Sequence, residues 1–259
     1  MIPIKEPWEL GVMRTAGRKL AEIVARLREQ VAEGMLTRDI DRLTEEAILA
    51  AGARPNFKNY KVGKAVFPAS VCISVNEQVV HGIPGRRKLL AGDVVSLDFG
   101  LVYGGYHADT AFTFALPPVD PEDQHLLDVT EASLYEGLAQ ARPGNRIGDI
   151  GHAVEAYCQA RRLGVVTQFV GHGIGRKLHE EPSVPNYGKA GTGPPLKPGM
   201  VLAIEPMITR GKGETRILSD EWTVVTADGS RSAHFEHTVA ITPSGPEILT
   251  VLDGQPPIR

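Results

Sequence analysis

Asp98 and Asp109 are spaced so that a β-hairpin would bring their carboxylates together. Residues 94–102 are largely apolar or β-branched around Asp98, and residues 105–112 resume that pattern around Asp109 after Tyr103-Gly104. Such runs about a Gly-containing break predict two paired strands. With Tyr103-Gly104 as the two-residue loop, the acids lie directly opposite one another. With Gly104-Gly105 they are diagonal neighbours. Either register puts both side chains on one face, roughly 5–8 Å apart. Like charges at that separation repel, which predicts a cation between them: a Lys, an Arg or a metal ion.

Three further residues favour the metal. His172 lies in Gly171-His172-Gly173-Ile174-Gly175, where flanking glycines let backbone and solute approach closely. Glu205 closes the apolar run Val201-Leu202-Ala203-Ile204, and Glu236 opens a β-branched strand. Each alone has an ordinary reading, as a turn histidine or a solvated acid at a strand end. Together, four carboxylates carry a charge of −4, which two divalent cations would neutralise. An oxygen-rich set with one imidazole suits Mn, Fe or Co, and Zn is also compatible. Two metals about 3.5–4 Å apart can hold a water between them and lower its pKa toward ~7, supplying a hydroxide nucleophile without Ser or Cys.

Other chemistries fit less well. His179-Glu180-Glu181-Pro182-Ser183 lacks the second His of a zincin helix, and no phosphate-binding loop or dinucleotide fingerprint is present. His81, before Gly82-Ile83-Pro84, and His179, opening a turn before Pro182, could donate to a carbonyl oxygen or handle protons near neutrality. Loop histidines bonded to backbone are an equal reading of each alone.

The elements that would position these residues can be read coarsely. The first forty-odd residues read as helix, with Met13, Ala16, Leu20, Ile23, Val24, Leu27 and Val31 at helical steps. A second helix is expected over 38–51, and short strands near 71–75 and 78–81. Asp120-Pro121-Glu122-Asp123 is a helix start, and a further helix is expected over 147–163. An internal echo organises this order. Residues 89–98 resemble 196–205, and Gly34-x4-Asp39-Ile40-x4-Glu45 resembles Gly144-x4-Asp149-Ile150-x4-Glu155, at offsets of 107 and 110 residues. The repeat predicts an α+β fold of two related halves, approximately 1–118 and 119–250 with a short C-terminal tail, in one domain spanning 1–259. Asp98 and Glu205 would then occupy equivalent strand positions.

Composition narrows the class. The 259 residues are 42% hydrophobic and 23% charged with a net charge of −3, so no global field draws the chain toward nucleic acid or an anionic membrane. The two cysteines, Cys72 and Cys158, are far apart, which argues against a disulfide framework and fits a reducing compartment. No segment is long and apolar enough to span a bilayer, and a cytoplasmic location is expected.

The motifs resemble those of the type I methionine aminopeptidases, within the pita-bread metallopeptidases of family M24. The matching stretches are Ser74-Val75-Asn76-Glu77-x3-His81-Gly82-Ile83-Pro84, Leu97-Asp98, His107-Ala108-Asp109-Thr110, Gly171–Arg176, His179-Glu180-Glu181-Pro182, Gly199-Met200-x3-Ile204-Glu205-Pro206 and Glu236-His237-Thr238. The resemblance implies a pita-bread fold in which Asp98, Asp109, His172, Glu205 and Glu236 bind two divalent metals, Asp109 and Glu236 bridging them. It implies that Glu205 shuttles a proton and that His81 and His179 contact substrate at the scissile bond. Phe67, Cys72 and Trp222 fall where such enzymes line the methionine pocket. Phe67 stands where Tyr is common and Leu178 where Phe is common, and residues 59–66 match poorly. The activity implied is removal of the initiator Met when the next residue is small, by a monomer acting on nascent chains, with any ribosome docking near the exit tunnel made through the domain's own surface. No membrane or direct nucleic-acid partner is implied. Xaa-Pro peptidases would share the metal set, but usually carry a substantial extra amino-terminal domain, and only about 70 residues precede the first strand here. A non-catalytic pita-bread module would be expected to lose ligands, and all five are present.

Overall fold

A computed structural model describes residues 1–252. Four helices, α1 (Pro7–Gln30), α2 (Thr37–Ala50), α3 (Pro121–Gln140) and α4 (Ile147–Gln159), pack on antiparallel strands. The amino-terminal helix is shorter than its periodicity suggests: the chain turns at 31–36 before α2 begins. Within α1, Met13, Ala16, Leu20, Ile23, Val24 and Leu27 form the buried stripe. Asp120 caps α3, its carboxylate accepting from the Glu122 N–H at 2.8 Å. α4 stops four residues short of the expected 163, with Arg162 in the left-handed region (φ 62°).

The central sheet has nine strands. Seven follow one another across it: Arg54–Pro55, Val94–Tyr103, Tyr106–Ala115, Glu236–Thr242, Val201–Ile204, Gly171–Gly173 and Glu180–Val184. Val71–Val75 also pairs with Val94–Tyr103, and Gly245–Ile248 with Glu236–Thr242. The hairpin of the two aspartates closes the first half and borders the second, Tyr106–Ala115 pairing with Glu236–Thr242. Its register pairs Tyr103 with Tyr106, so Gly104 and Gly105 form the loop at φ 58° and 83°. Asp98 is opposite Ala111 and Asp109 opposite Gly100, which makes the acids diagonal neighbours on one face.

The two halves repeat each other in detail. The Leu89 N–H donates to the Met35 carbonyl, and the corresponding Leu196 N–H donates to the Asn145 carbonyl, both at 2.9 Å. Isolated bridges join Leu36 to Lys88 and Arg146 to Pro195, at the same offsets. Leu116 N–H to the Asp93 carbonyl is matched by Ile241 N–H to the Met200 carbonyl. The first two sets tie the start of each half's second helix to the turn that launches its sheet strand, and the third ties that turn to the end of a following strand. That common scaffold precedes Asp98 and Glu205 alike, each carried on or just beyond the sheet strand that the matched turn launches.

Candidate metal centre and its pocket

All ten residues singled out in the sequence line one cavity of about 250 Å³: Phe67, Cys72, His81, Asp98, Asp109, His172, His179, Glu205, Trp222 and Glu236. Adjacent antiparallel strands assemble its polar end. Asp98 and Asp109 project from the hairpin, Glu236 lies opposite Ala111, and His172 lies opposite Ala203, two residues before Glu205. Asp109, His172 and Glu236 each offer a ligand atom within 4.8 Å of the others. Asp98 is the diagonal neighbour of Asp109 across the hairpin, and Glu205 approaches His172, whose Nε2 is 3.5 Å from Oε1.

The glycines beside His172 do something other than admit solute. A Cβ on Gly171 would sit 2.3 Å from the Ala203 carbonyl oxygen, and one on Gly173 2.2 Å from that of Glu181. They let two neighbouring strands close on the histidine. His172 Nδ1 lies 2.9 Å from the Gly173 carbonyl; donating there fixes the tautomer and leaves the Nε2 lone pair facing the acids. His179 immediately precedes the strand Glu180–Val184 rather than a free turn. Pro182 is accommodated there because the pairing is irregular between Glu180 and Ser183.

The electrostatics favour a cation. Burial, followed by mutual repulsion, holds the carboxyls of Asp109, Glu205 and Glu236 well above the usual carboxylate range. Burial also raises Asp98 to about 7. The imidazoles move the other way: burial lowers His172 to about 3 and His81 to about 4, with the nearby His179 ring contributing to both. Three carboxylate oxygens, Asp98 Oδ1, Asp109 Oδ1 and Glu236 Oε1, are buried with no hydrogen-bond partner. Orphaned acceptors of this kind are costly unless protonated or bound to a cation. The donor set, oxygens with one imidazole, fits divalent metals.

The other end of the cavity is apolar and aromatic. Phe67 packs edge-on against Phe57 at 6.5 Å and Trp222 at 5.3 Å, and Leu178 is buried nearby. Cys72 is buried opposite Asp98, and burial raises its thiol further, so it stays protonated and acts as a small apolar wall.

Sequence reading missed two neighbours of the site. Tyr60 Oη lies 2.6 Å from His179 Nδ1, with the rings 5.3 Å apart. Tyr60 sits in the poorly matching 59–66 segment, where no periodicity pointed to it. His234 is buried with its Nε2 3.7 Å from Glu205 Oε2 and without a hydrogen-bond partner. Its spacing of two from Glu236 was the available signal, since alternate residues of an extended chain share a face.

Residues 11–243 match metallopeptidase family M24, and the chain belongs to that family. Within it, the full-length relatives are methionine aminopeptidases, and the chain belongs with them. It is 48% identical over 250 residues to methionine aminopeptidase 1 of Bacillus subtilis, covering 96% of this chain and 99% of that one. It is 49% identical over 252 residues to the methionine aminopeptidase of Clostridium perfringens, covering 97% and 100%. The crystal structure of methionine aminopeptidase from Thermotoga maritima superposes with a TM-score of 0.93 at 41% identity, covering 97% of this chain and all (100%) of that one. The prolidase of Pyrococcus furiosus, at a TM-score of 0.77 and 21% identity over 96% of this chain and 66% of that one, shares the fold.

Proposed function

We propose that this chain is a metal-dependent aminopeptidase that removes the N-terminal methionine from nascent proteins whose second residue is small. The observation that carries the reading is the pairing, in one cavity, of orphaned buried carboxylate oxygens with an aromatic-walled pocket. Asp98, Asp109, His172, Glu205 and Glu236 would hold two divalent ions, of Mn, Fe, Co or Zn. Bound there, the ions would supply a hydroxide nucleophile at neutral pH.

The chain's own groups do the rest. The rings of Phe67 and Trp222, with Cys72 and Leu178, form a pocket suited to an unbranched thioether, which gains ~0.3–1.5 kcal/mol from sulfur–aromatic contact. Recognition of the free α-amine at the polar end of the cavity would select chain ends over internal bonds. Tyr60 donating to His179 Nδ1 leaves His179 Nε2–H to donate to the scissile carbonyl, where negative charge develops. His81, neutral at pH 7, lines the same cavity and can donate to or accept from the peptide. Glu205, 3.5 Å from His172 and 3.7 Å from His234, would carry a proton from the attacking water toward the leaving amine.

We take residues 1–259 as one catalytic domain that works as a cytoplasmic monomer, meeting the ribosome near the exit tunnel through its own surface. Assay of Met release from Met-Gly-Met and Met-Ala-Ser, beside Xaa-Pro dipeptides, tests the activity. Cleavage of the first two and not the last is expected. Preference for the Pro substrates would replace this reading with a prolidase one.

A further inference from the structure

Residues 61–66 form a small hairpin, Lys61–Val62 with Ala65–Val66, that pairs with no other strand among the described residues. Its turn is opened by Gly63 at φ 58°. Its base belongs to the catalytic cavity: the Phe67 N–H donates to the Tyr60 carbonyl, and the Asn59 N–H to the Phe67 carbonyl, both at 2.8 Å. Tyr60 is the partner of His179, and Phe67 packs on Trp222. The tip reaches outward and walls a second cavity of about 350 Å³, with Ile217, Glu221 and Val224 among its other walls.

The two cavities are continuous, because His81, Phe169 and Trp222 line both. Val62 and Ile217 line the outer one yet stay 58% and 57% exposed. Apolar surface is therefore left uncovered on two walls of a groove that begins at His81. Apolar walls of a concave groove that opens from a site suit an apolar ligand group. Lys64 and Glu221, of opposite sign, share the groove and give it no net charge preference.

We propose that this groove is a subsite for the third residue of the polypeptide substrate and that it selects apolar side chains there. The inference rests on the aminopeptidase reading above. With the terminal Met enclosed and a small second residue at the scissile bond, the third side chain is the first to leave the inner cavity. An extended chain advances ~3.3 Å per residue, so that side chain falls at the groove's mouth. The other opening, beside His172 and His179, carries Lys177, Glu180 and Glu181 and would favour polar residues instead.

The test compares kcat/KM for Met-Ala-Leu-Ser and Met-Ala-Ser-Ser, using the metal-loaded wild-type protein and the Ile217→Ser and Ala65→Asp variants. Wild type should prefer the Leu peptide by ~5–10-fold, the effect of burying one or two methylenes. Either variant should bring that ratio toward one, with thermal melting checked against wild type. Equal wild-type rates on the two peptides would overturn the subsite while leaving the aminopeptidase reading intact. A ratio kept in both variants, or abolished by Lys177→Ser instead, would overturn it too. Release of Met from neither peptide would remove the aminopeptidase reading, and the subsite with it.

Discussion

Tyr60 and Asp98 show how single side chains set the chemistry of this site. The 2.6 Å bond from Tyr60 to His179 Nδ1 fixes which imidazole nitrogen faces the cavity. Tyr60→Phe keeps the ring and removes that bond, worth ~1 kcal/mol, so kcat should fall about 5-fold with little change in KM. His179→Ala should cost ~10²–10³ in kcat while metal content stays at the wild-type level, as metal analysis would show. Asp98→Asn should lose metal and activity while circular dichroism and melting report a folded protein. The metal-free protein carries a pH signature as well. Burial raises the Asp98 carboxyl from 3.8 to about 7. The folded form therefore keeps a proton that the unfolded chain releases, and this stabilising contribution is full below about pH 4 and lost as pH rises through 7. Chelated protein should melt at a lower temperature at pH 8 than at pH 5, and Asp98→Asn should flatten that slope. A chelated melting curve indifferent to pH over that window would count against the buried-acid picture.

At the scale of elements, the hairpin that bears Asp98 and Asp109 is paired along its whole length yet carries two acids on one face, each with a buried carboxylate oxygen. Removing the cations should raise hydrogen exchange across 96–111 before it does so in α3, whose Leu126, Leu134 and Leu138 are buried away from the acids. Unchanged exchange at 96–111 after chelation would refute this. The strand pair around His172 is the tighter element. Gly173→Ala would drive a Cβ to 2.2 Å from the Glu181 carbonyl oxygen, so the strands must part. A loss of ~1–3 kcal/mol in stability and weaker metal retention are expected by denaturant titration and metal analysis. Much of this level was legible in the sequence. The hairpin register was decidable, because a Tyr103-Gly104 turn would need Tyr103 at positive φ, which a bulky residue avoids. The 61–66 hairpin was not, because two-residue strands have no periodicity to read. Nor was the contact between Tyr60 and His179, which joins residues 119 positions apart.

The whole molecule is a duplicated scaffold whose two halves both supply residues to the site. The repeat at offsets of 107 and 110 foretold the pseudo-symmetry, since the same turn and helix start launch Asp98 and Glu205. What it could not foretell is how the amino-terminal segment reaches across to the second half, because that lock has no counterpart in the repeat. The Lys5 N–H donates to the Gly199 carbonyl at 2.7 Å, and Lys5 Nζ to Glu180 Oε2 at 2.6 Å. Those two side chains are only 5% and 9% exposed. Glu180 also accepts from the Lys177 N–H and directly follows His179 in the chain. Lys5→Met would leave a buried carboxylate without its cation, which costs ~3–5 kcal/mol. For a chain of this size, that predicts a drop in Tm of roughly 6–20 °C. Because the disturbed residue adjoins His179, kcat should fall as well, even though Lys5 lines neither the inner cavity nor the outer groove. Adding Glu180→Gln removes the unpaired charge, so the double variant should recover much of the Tm. A double variant that melts lower than Lys5→Met alone would mean that Glu180 holds the halves together through its other contacts, and that the ion pair is not the lock.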